Sequence, residues 1–111
     1  MDLIFKALAD PGRRTVLDRL YANDGQTLSE LCSHVPYSRQ ALSKHLVRLE
    51  EAGLVLSHFA GREKHHYLNP LPLQEIAGRW LQKFDERQLT AVAALKQSLE
   101  DTAEDTQRRS Q

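Results

Sequence analysis

The 111-residue sequence contains little of what several common classes of protein require. Cys32 is its only cysteine, which excludes an internal disulfide and favours a reducing, cytoplasmic setting. No apolar run approaches the roughly 18 residues that a membrane-spanning helix needs. The first ten residues lack the basic start and long apolar core of a secretory signal. We therefore expect no membrane partner and no secretion.

The charge of the chain is informative in its distribution rather than in its total. The formal net charge is zero, with 41% hydrophobic and 27% charged residues, which is typical of one soluble globular domain. Residues 37–69 hold more basic than acidic side chains, and the basic ones are Arg39, Lys44, Arg48, Arg62 and Lys64. A local basic patch on a neutral chain suits contact with DNA phosphates.

Helix-start signals divide the first half of the chain into four short helices. Residues 2–8 form an apolar helix, and D-P at 10–11 supplies the cap and first turn of the next helix. T-L-S-E at 27–30 is a capping box for a third helix. Ser38 caps a fourth, which runs to about Ala52. The residues expected to face the core are Val16, Leu17, Leu20, Tyr21, Leu28, Leu31, Cys32, Ala41, Leu42 and Leu46.

The pattern changes from helical to alternating after Gly53, which is expected to end the fourth helix. The runs L-V-L-S-H-F-A and R-E-K-H-H-Y-L flank Gly61 and predict a β-hairpin. A single long helix is predicted from about 72 to 100, roughly 43 Å in length. We expect one domain over residues 1–100 and a polar, flexible tail over 101–111.

This order of elements predicts a mainly α (α+β) fold, a winged helix-turn-helix of about five helices and a two-stranded hairpin. The fold places the second helix of the pair in the major groove of DNA, braced by the first. We expect base contacts from Arg39, Gln40 and Ser43. We expect phosphate contacts from Ser38, Lys44, His45, Arg48, Arg62 and Lys64.

The same segments resemble a known family. A-L-A-D-P-G-R-R-T-V-L-D-R-L, T-L-S-E-L-C, S-R-Q-A-L-S-K-H-L-V-R-L-E-E-A-G-L-V and G-R-E-K-H-H-Y-L-N-P are similar to the ArsR-type winged helix-turn-helix repressors. The resemblance implies a homodimer that represses transcription at an operator, with a recognition helix over 38–48 and a wing over 56–68. The segment after residue 74 resembles a branch often encoded beside START-like (SRPBCC) proteins. Gly12, where the family often has Thr, and V-P-Y, where its turn often has Gly, are departures that we interpret as local turn adjustments.

Apolar residues at the two ends of the chain predict dimerisation. A 43 Å helix would overhang a domain of this size, and its stripe carries aromatic residues that are costly to leave in water. Pairing across a two-fold axis would bury that stripe together with the first helix. The residues expected at the interface are Leu3, Ile4, Phe5, Trp80, Phe84, Val92 and Leu95.

Other functions are less well supported by the sequence. Metal-sensing relatives often carry two cysteines before the turn or histidines on the last helix, whereas this chain has E-L-C-S-H and no histidine in the last helix. We therefore predict no metal and no cofactor, and leave a small-molecule inducer open. No glycine loop, carboxylate pair or nucleophile–base set predicts an enzyme. The alternative is a winged-helix protein-interaction module without specific DNA binding.

Overall fold

The computed structural model describes the backbone of residues 1–81 and 83–109, and the side chains of residues 1–81 and 83–104. Six α-helices and three strands succeed one another along this part of the chain. They are α1 Asp2–Leu8, α2 Pro11–Ala22, β1 Gln26–Thr27, α3 Leu28–Cys32, α4 Arg39–Glu51, β2 Val55–Ala60, β3 Glu63–Leu68, α5 Leu71–Ile76 and α6 Glu86–Arg109. Residues 1–75 form one compact unit, and the described residues from 76 onward form a second.

The first four helices begin where the sequence predicts. Asp10 accepts a hydrogen bond from the Arg13 backbone N–H at 3.0 Å and so caps α2. Thr27 and Glu30 form the predicted capping box of α3. Ser38 Oγ accepts from the Ala41 backbone N–H at 3.1 Å at the start of α4. These side chains satisfy backbone donors that a helix N-terminus otherwise leaves without partners.

The hydrophobic core lies entirely in the first unit, as far as side chains are described. Its buried apolar residues are Ile4, Ala7, Val16, Leu17, Leu20, Leu31, Val35, Leu42, Leu46, Leu49, Ala52, Leu54 and Val55. Leu28, Cys32 and Ala41 are only half-buried. The prediction for Tyr21 is wrong, because its side chain is 83% exposed. At 100° per residue, Tyr21 lies about 140° around α2 from Val16, beyond the edge of the buried stripe.

The predicted hairpin is present as β2 and β3, which we call the wing. Gly61 opens its two-residue turn with a φ of +65°, and Gly53 ends α4 with a φ of +75°. The sheet has three strands rather than two, in the order β1-β3-β2. β1 pairs antiparallel with β3 through Gln26↔His66 and Thr27↔His65. A strand of two residues is too short to show the alternation on which the prediction depended.

The single long helix predicted over 72–100 is wrong. α5 ends at Ile76, a π-helical turn covers Ala77–Leu81, and α6 begins at Glu86. Asp85 starts α6 with a reciprocal cap, because its Oδ1 accepts from the Gln88 N–H and Gln88 Oε1 accepts from the Asp85 N–H, both at 2.8 Å. The apolar spacing in the sequence continues across this interruption of the helix, so the pattern alone predicts one helix.

The second unit has an exposed apolar stripe. Among its described side chains none is buried, and the exposed ones include Trp80, Phe84, Val92, Leu95 and Leu99. α6 continues through residues 101–109, where the sequence predicts a flexible tail, and residues 110 and 111 lie outside the described part. No described helix is both long and apolar enough to cross a membrane.

Candidate DNA interface

α4 has one buried and one exposed face. Leu42, Leu46 and Leu49 are 0%, 3% and 0% exposed and fix the rotation of the helix against the core. The opposite face carries Arg39, Gln40, Ser43, Lys44 and Arg48, all exposed. This phase agrees with the 3.6-residue pattern in the sequence. The structure therefore brings five of the predicted DNA-contacting side chains onto one accessible surface.

The members of this surface differ in how firmly they are held. Arg39 donates from Nη2 to Ser29 Oγ of α3 at 3.1 Å, so the preceding helix orients it. Arg48 pairs with Glu51 at 3.1 Å, and both side chains are largely exposed. Within the described part of the chain, Gln40 and Lys44 have no side-chain hydrogen bond or ion pair and remain available to a ligand. Ser38 Oγ is occupied as the helix cap.

His45 points toward α2 rather than outward with Lys44. Its Nδ1 lies 3.8 Å from Asp10 Oδ2, and its ring makes an edge contact with Tyr37 at 5.4 Å between centroids. Gly12 makes room for the ring, since a Cβ there would lie 2.6 Å from His45 Nε2. This packing explains glycine at position 12. It gives His45 a place in the packing of α4 against α2, and its phosphate contact stays a prediction.

The Asp10 carboxylate is stabilised in its charged form. The hydrogen bond from the Arg13 backbone N–H lowers the pKa of Asp10 below its ordinary value of 3.8. Partial burial of the carboxylate opposes this effect, while the nearby Arg13 and His45 side chains add to it. The fold thus favours the ionised form of Asp10, which caps α2 and lies beside His45.

The wing presents one cation at its turn and holds the other. Arg62 is exposed beside Gly61 and has no ion pair among the residues described. Lys64 Nζ instead lies 3.2 Å from Glu50 Oε1 of α4. Its charge is therefore partly neutralised, and its phosphate contact stays a prediction.

The two adjacent histidines of β3 attach the wing to β1. His65 Nδ1 donates to the Gly25 carbonyl at 2.8 Å, and His66 Nδ1 donates to the Gln26 carbonyl at 2.9 Å. A carbonyl oxygen only accepts, so each Nδ1 carries the hydrogen. In the part of the chain that is described, no three His, Cys, Asp or Glu side chains group as a metal site.

A cleft of about 370 Å³ lies between α3, α4 and the wing. Arg39, Ser43, Arg62 and Lys64 line it, together with Glu50. The cleft joins the predicted base-reading and wing residues into one continuous surface. Glu63 lines it as well, so three cations and two acids share this surface.

Sequence reasoning missed three contributors to this surface. Ser29 and Glu50 hold Arg39 and Lys64, and Gln26 supplies the carbonyl that anchors His66. One signal was available, because Lys64 and His66 stand two residues apart on a strand and so share one face. Which acid meets that face depends on tertiary packing, and the sequence does not specify it.

Comparisons with known proteins agree with this geometry. Residues 8–58 match a family model described as a helix-turn-helix domain. The chain is 39% identical over 87 residues to YuzN, an HTH-type transcriptional regulator of Bacillus subtilis, covering 73% of this chain and 95% of that one. It is 33% identical over 84 residues to the transcriptional repressor SdpR of the same organism, covering 76% and 91%.

The solved structures give the same result. An ArsR-like transcriptional regulator from Rhodococcus sp. RHA1 superposes with a TM-score of 0.66 at 34% identity, covering 86% of this chain and 89% of that one. The names of these three relatives describe regulators of transcription. This chain and each of these relatives are more than 30% identical over most of their lengths, so the shared motifs and the shared fold indicate the same family. The chain belongs to the ArsR family of winged helix-turn-helix, DNA-binding transcriptional regulators.

Proposed function

We propose that this regulator is a homodimeric repressor that inserts α4 into the major groove of its operator. The observation that carries the proposal is the exposed face of α4, where Gln40 and Lys44 lack partners among the described residues and Arg39 is held in place by Ser29. Arg pairs with guanine and Gln with adenine through two hydrogen bonds each. We expect Arg39, Gln40 and Ser43 to read base edges.

The wing is proposed to contact the phosphates beside that groove. Arg62 supports this role, because it is exposed at the turn and lines the same cleft as Arg39. Lys44 and Arg48 extend the basic surface along α4. Such contacts supply affinity and set the register of the protein on DNA, while base contacts discriminate between sequences. A repressor must reach chromosomal DNA to act, so we propose a cytoplasmic location for this protein.

The proposed dimer uses apolar surface that the chain itself leaves exposed. Val92, Leu95 and Leu99 of α6 are 62%, 57% and 61% exposed and border a groove of about 350 Å³. Leu3 and Phe5 of α1 are also exposed, whereas Ile4 is buried in the first unit and offers little surface. A two-fold pairing buries such a stripe and supplies two recognition helices for two half-sites.

Binding to the DNA directly upstream of the gene tests the proposal against a scrambled duplex. We expect tight, sequence-dependent binding whose log K falls with log salt by about 0.9 for each phosphate contacted. The double variant Arg39→Ala/Lys44→Ala should lose this binding and remain folded and dimeric. An inducer, if one exists, would weaken the same complex.

A charge-matched control separates the site from general electrostatics. Lys6→Ala/Arg19→Ala removes the same charge from exposed positions on α1 and α2 rather than on α4. It should bind the operator nearly as well as the unchanged protein. Equal losses in both double variants would refute the assignment of the α4 face. Equal, weak binding of both duplexes by the unchanged protein would favour a protein-interaction module.

A further inference from the structure

Glu50, in the last turn of α4, is the residue at which the recognition helix meets the wing. Its side chain is 27% exposed, and its Oε1 lies 3.2 Å from Lys64 Nζ and 3.8 Å from His66 Nε2. Within the described residues, Lys64–Glu50 is the salt bridge between the wing and α4, and the His66 ring lies beside it. One carboxylate therefore faces two side chains of β3.

The cluster also extends to the third strand of the sheet. Lys64 and His66 leave the same face of β3 because they stand two residues apart. His66 is only 4% exposed, and its Nδ1 donates to the Gln26 carbonyl of β1 at 2.9 Å. A side chain so deeply buried and bonded on one ring nitrogen has little freedom to move. Glu50 thus lies beside a rigid point of the sheet and pairs with Lys64.

The outer part of the wing has little other support. β1 pairs with β3 only at His65 and His66, so the hairpin from Phe59 to Lys64 consists of two strands alone. A two-stranded ribbon is marginally stable in water. Lys64 is the residue at the base of this segment whose side chain reaches α4. Without that contact, the turn that carries Arg62 would vary in its distance from the recognition helix.

The charge of Glu50 points to positioning rather than to direct binding. A carboxylate beside DNA phosphates is repelled by them, so as a simple surface charge Glu50 would weaken binding. Here it lies between Lys64 and His66 and is largely withdrawn from solvent. The Lys64 ammonium offsets the repulsion locally, and Arg62 is left as the wing cation free of ion pairs among the described residues.

We propose that Glu50 is a positioning residue that fixes the wing against the recognition helix, and that Lys64 takes part in this contact rather than binding a DNA phosphate. The pair thereby sets the spacing between the contacts of α4 in the major groove and those of Arg62 beside it. This inference rests on the proposed DNA-binding function.

The test compares Glu50→Gln with Glu51→Gln, which removes the same charge from the neighbouring, exposed acid. General electrostatics predicts tighter DNA binding for both variants. Positioning predicts that Glu50→Gln alone binds the operator more weakly, by roughly tenfold, while its binding to a scrambled duplex does not weaken. The operator is either the upstream DNA or, if that fails, a duplex selected from a random pool with the unchanged protein.

Hydroxyl-radical footprinting separates positioning from stability. A less stable protein would lose protection over the whole site, whereas a displaced wing would lose it only at the sugars that the wing contacts. Glu50→Gln should lose protection at the sugars contacted by the wing and keep the protection given by α4. Lys64→Gln changes a side chain that is 40% exposed, so we expect it to fold. It should produce the same partial footprint and serves if Glu50→Gln fails to fold. The double variant should be no weaker than either single one, because both break one contact.

Three results would overturn the inference. Equal operator affinity for Glu50→Gln and Glu51→Gln would leave the wing independent of Glu50. An additive loss in the double variant would return Lys64 to a direct phosphate contact. If the unchanged protein selects no duplex at all, the DNA-binding proposal fails and the inference with it. If the unchanged protein binds its operator specifically and either of the first two results is found, the inference about Glu50 fails while the DNA-binding proposal stands.

Discussion

Two adjacent residues of α4 allow its rotation to be tested by stability. Leu46 is 3% exposed and Val47 is 49% exposed. Leu46→Ala should lower the free energy of unfolding by about 2–5 kcal/mol, because it removes a buried side chain and leaves a cavity. Val47→Ala should have a much smaller effect. Urea unfolding of both variants measures the difference, and equal losses would mean that α4 faces the core with another side.

The contribution of Asp10 to the free energy of unfolding depends on pH. Because its folded pKa is lowered, the unfolded chain binds the proton more tightly, and the stabilisation exists above the ordinary value of 3.8 and is lost as the pH falls through the folded value. Asp10→Asn keeps a capping side chain but cannot titrate. The unchanged protein should therefore be the more stable at pH 5, with its advantage shrinking toward pH 2.

Thermal unfolding of both proteins between pH 2 and 5 measures that difference. Titrations that the two proteins share cancel when one midpoint is subtracted from the other. A difference that does not change with pH would show that the ionised carboxylate contributes nothing beyond its hydrogen bond to Arg13.

At the scale of elements, N-cap residues in the sequence correctly predicted where α2, α3 and α4 begin. Asp10, Thr27 and Ser38 each precede a helix by one residue, and the structure confirms all three starts. The reciprocal cap of Asp85 and Gln88 is an equally local signal. It was missed because the surrounding apolar stripe fits a single helix. The spacing of apolar residues does not reveal that a π-helical turn interrupts the helix.

The exposed face of the recognition helix was also predictable, while the contacts within it were not. The spacing of Leu42 and Leu46 sets which residues of α4 point outward. The inward turn of His45 depends on the space left by Gly12. The partner of Lys64 depends on the packing of β3 against α4. Such pairings arise between segments far apart in the chain, which periodicity does not relate.

At the scale of the whole molecule, the exposed stripe of α6 is the feature that a monomer leaves unexplained. Leaving Val92, Leu95 and Leu99 in water is costly, and a second copy would cover them with the same surface. The proposed dimer also doubles the number of recognition helices on one DNA molecule. Oligomeric state and operator affinity should therefore change together.

Leu95→Asp tests that coupling by placing a charge in the stripe. The variant should sediment as a monomer and bind the operator more than about tenfold more weakly, because two half-sites are no longer held by one particle. Ala94→Asp is the matched control: it adds the same residue to α6, about 160° around the helix from Val92. It should remain dimeric and bind as the unchanged protein does. A monomeric Leu95→Asp that kept full operator affinity would separate dimerisation from DNA binding, and a dimeric one would move the interface away from α6.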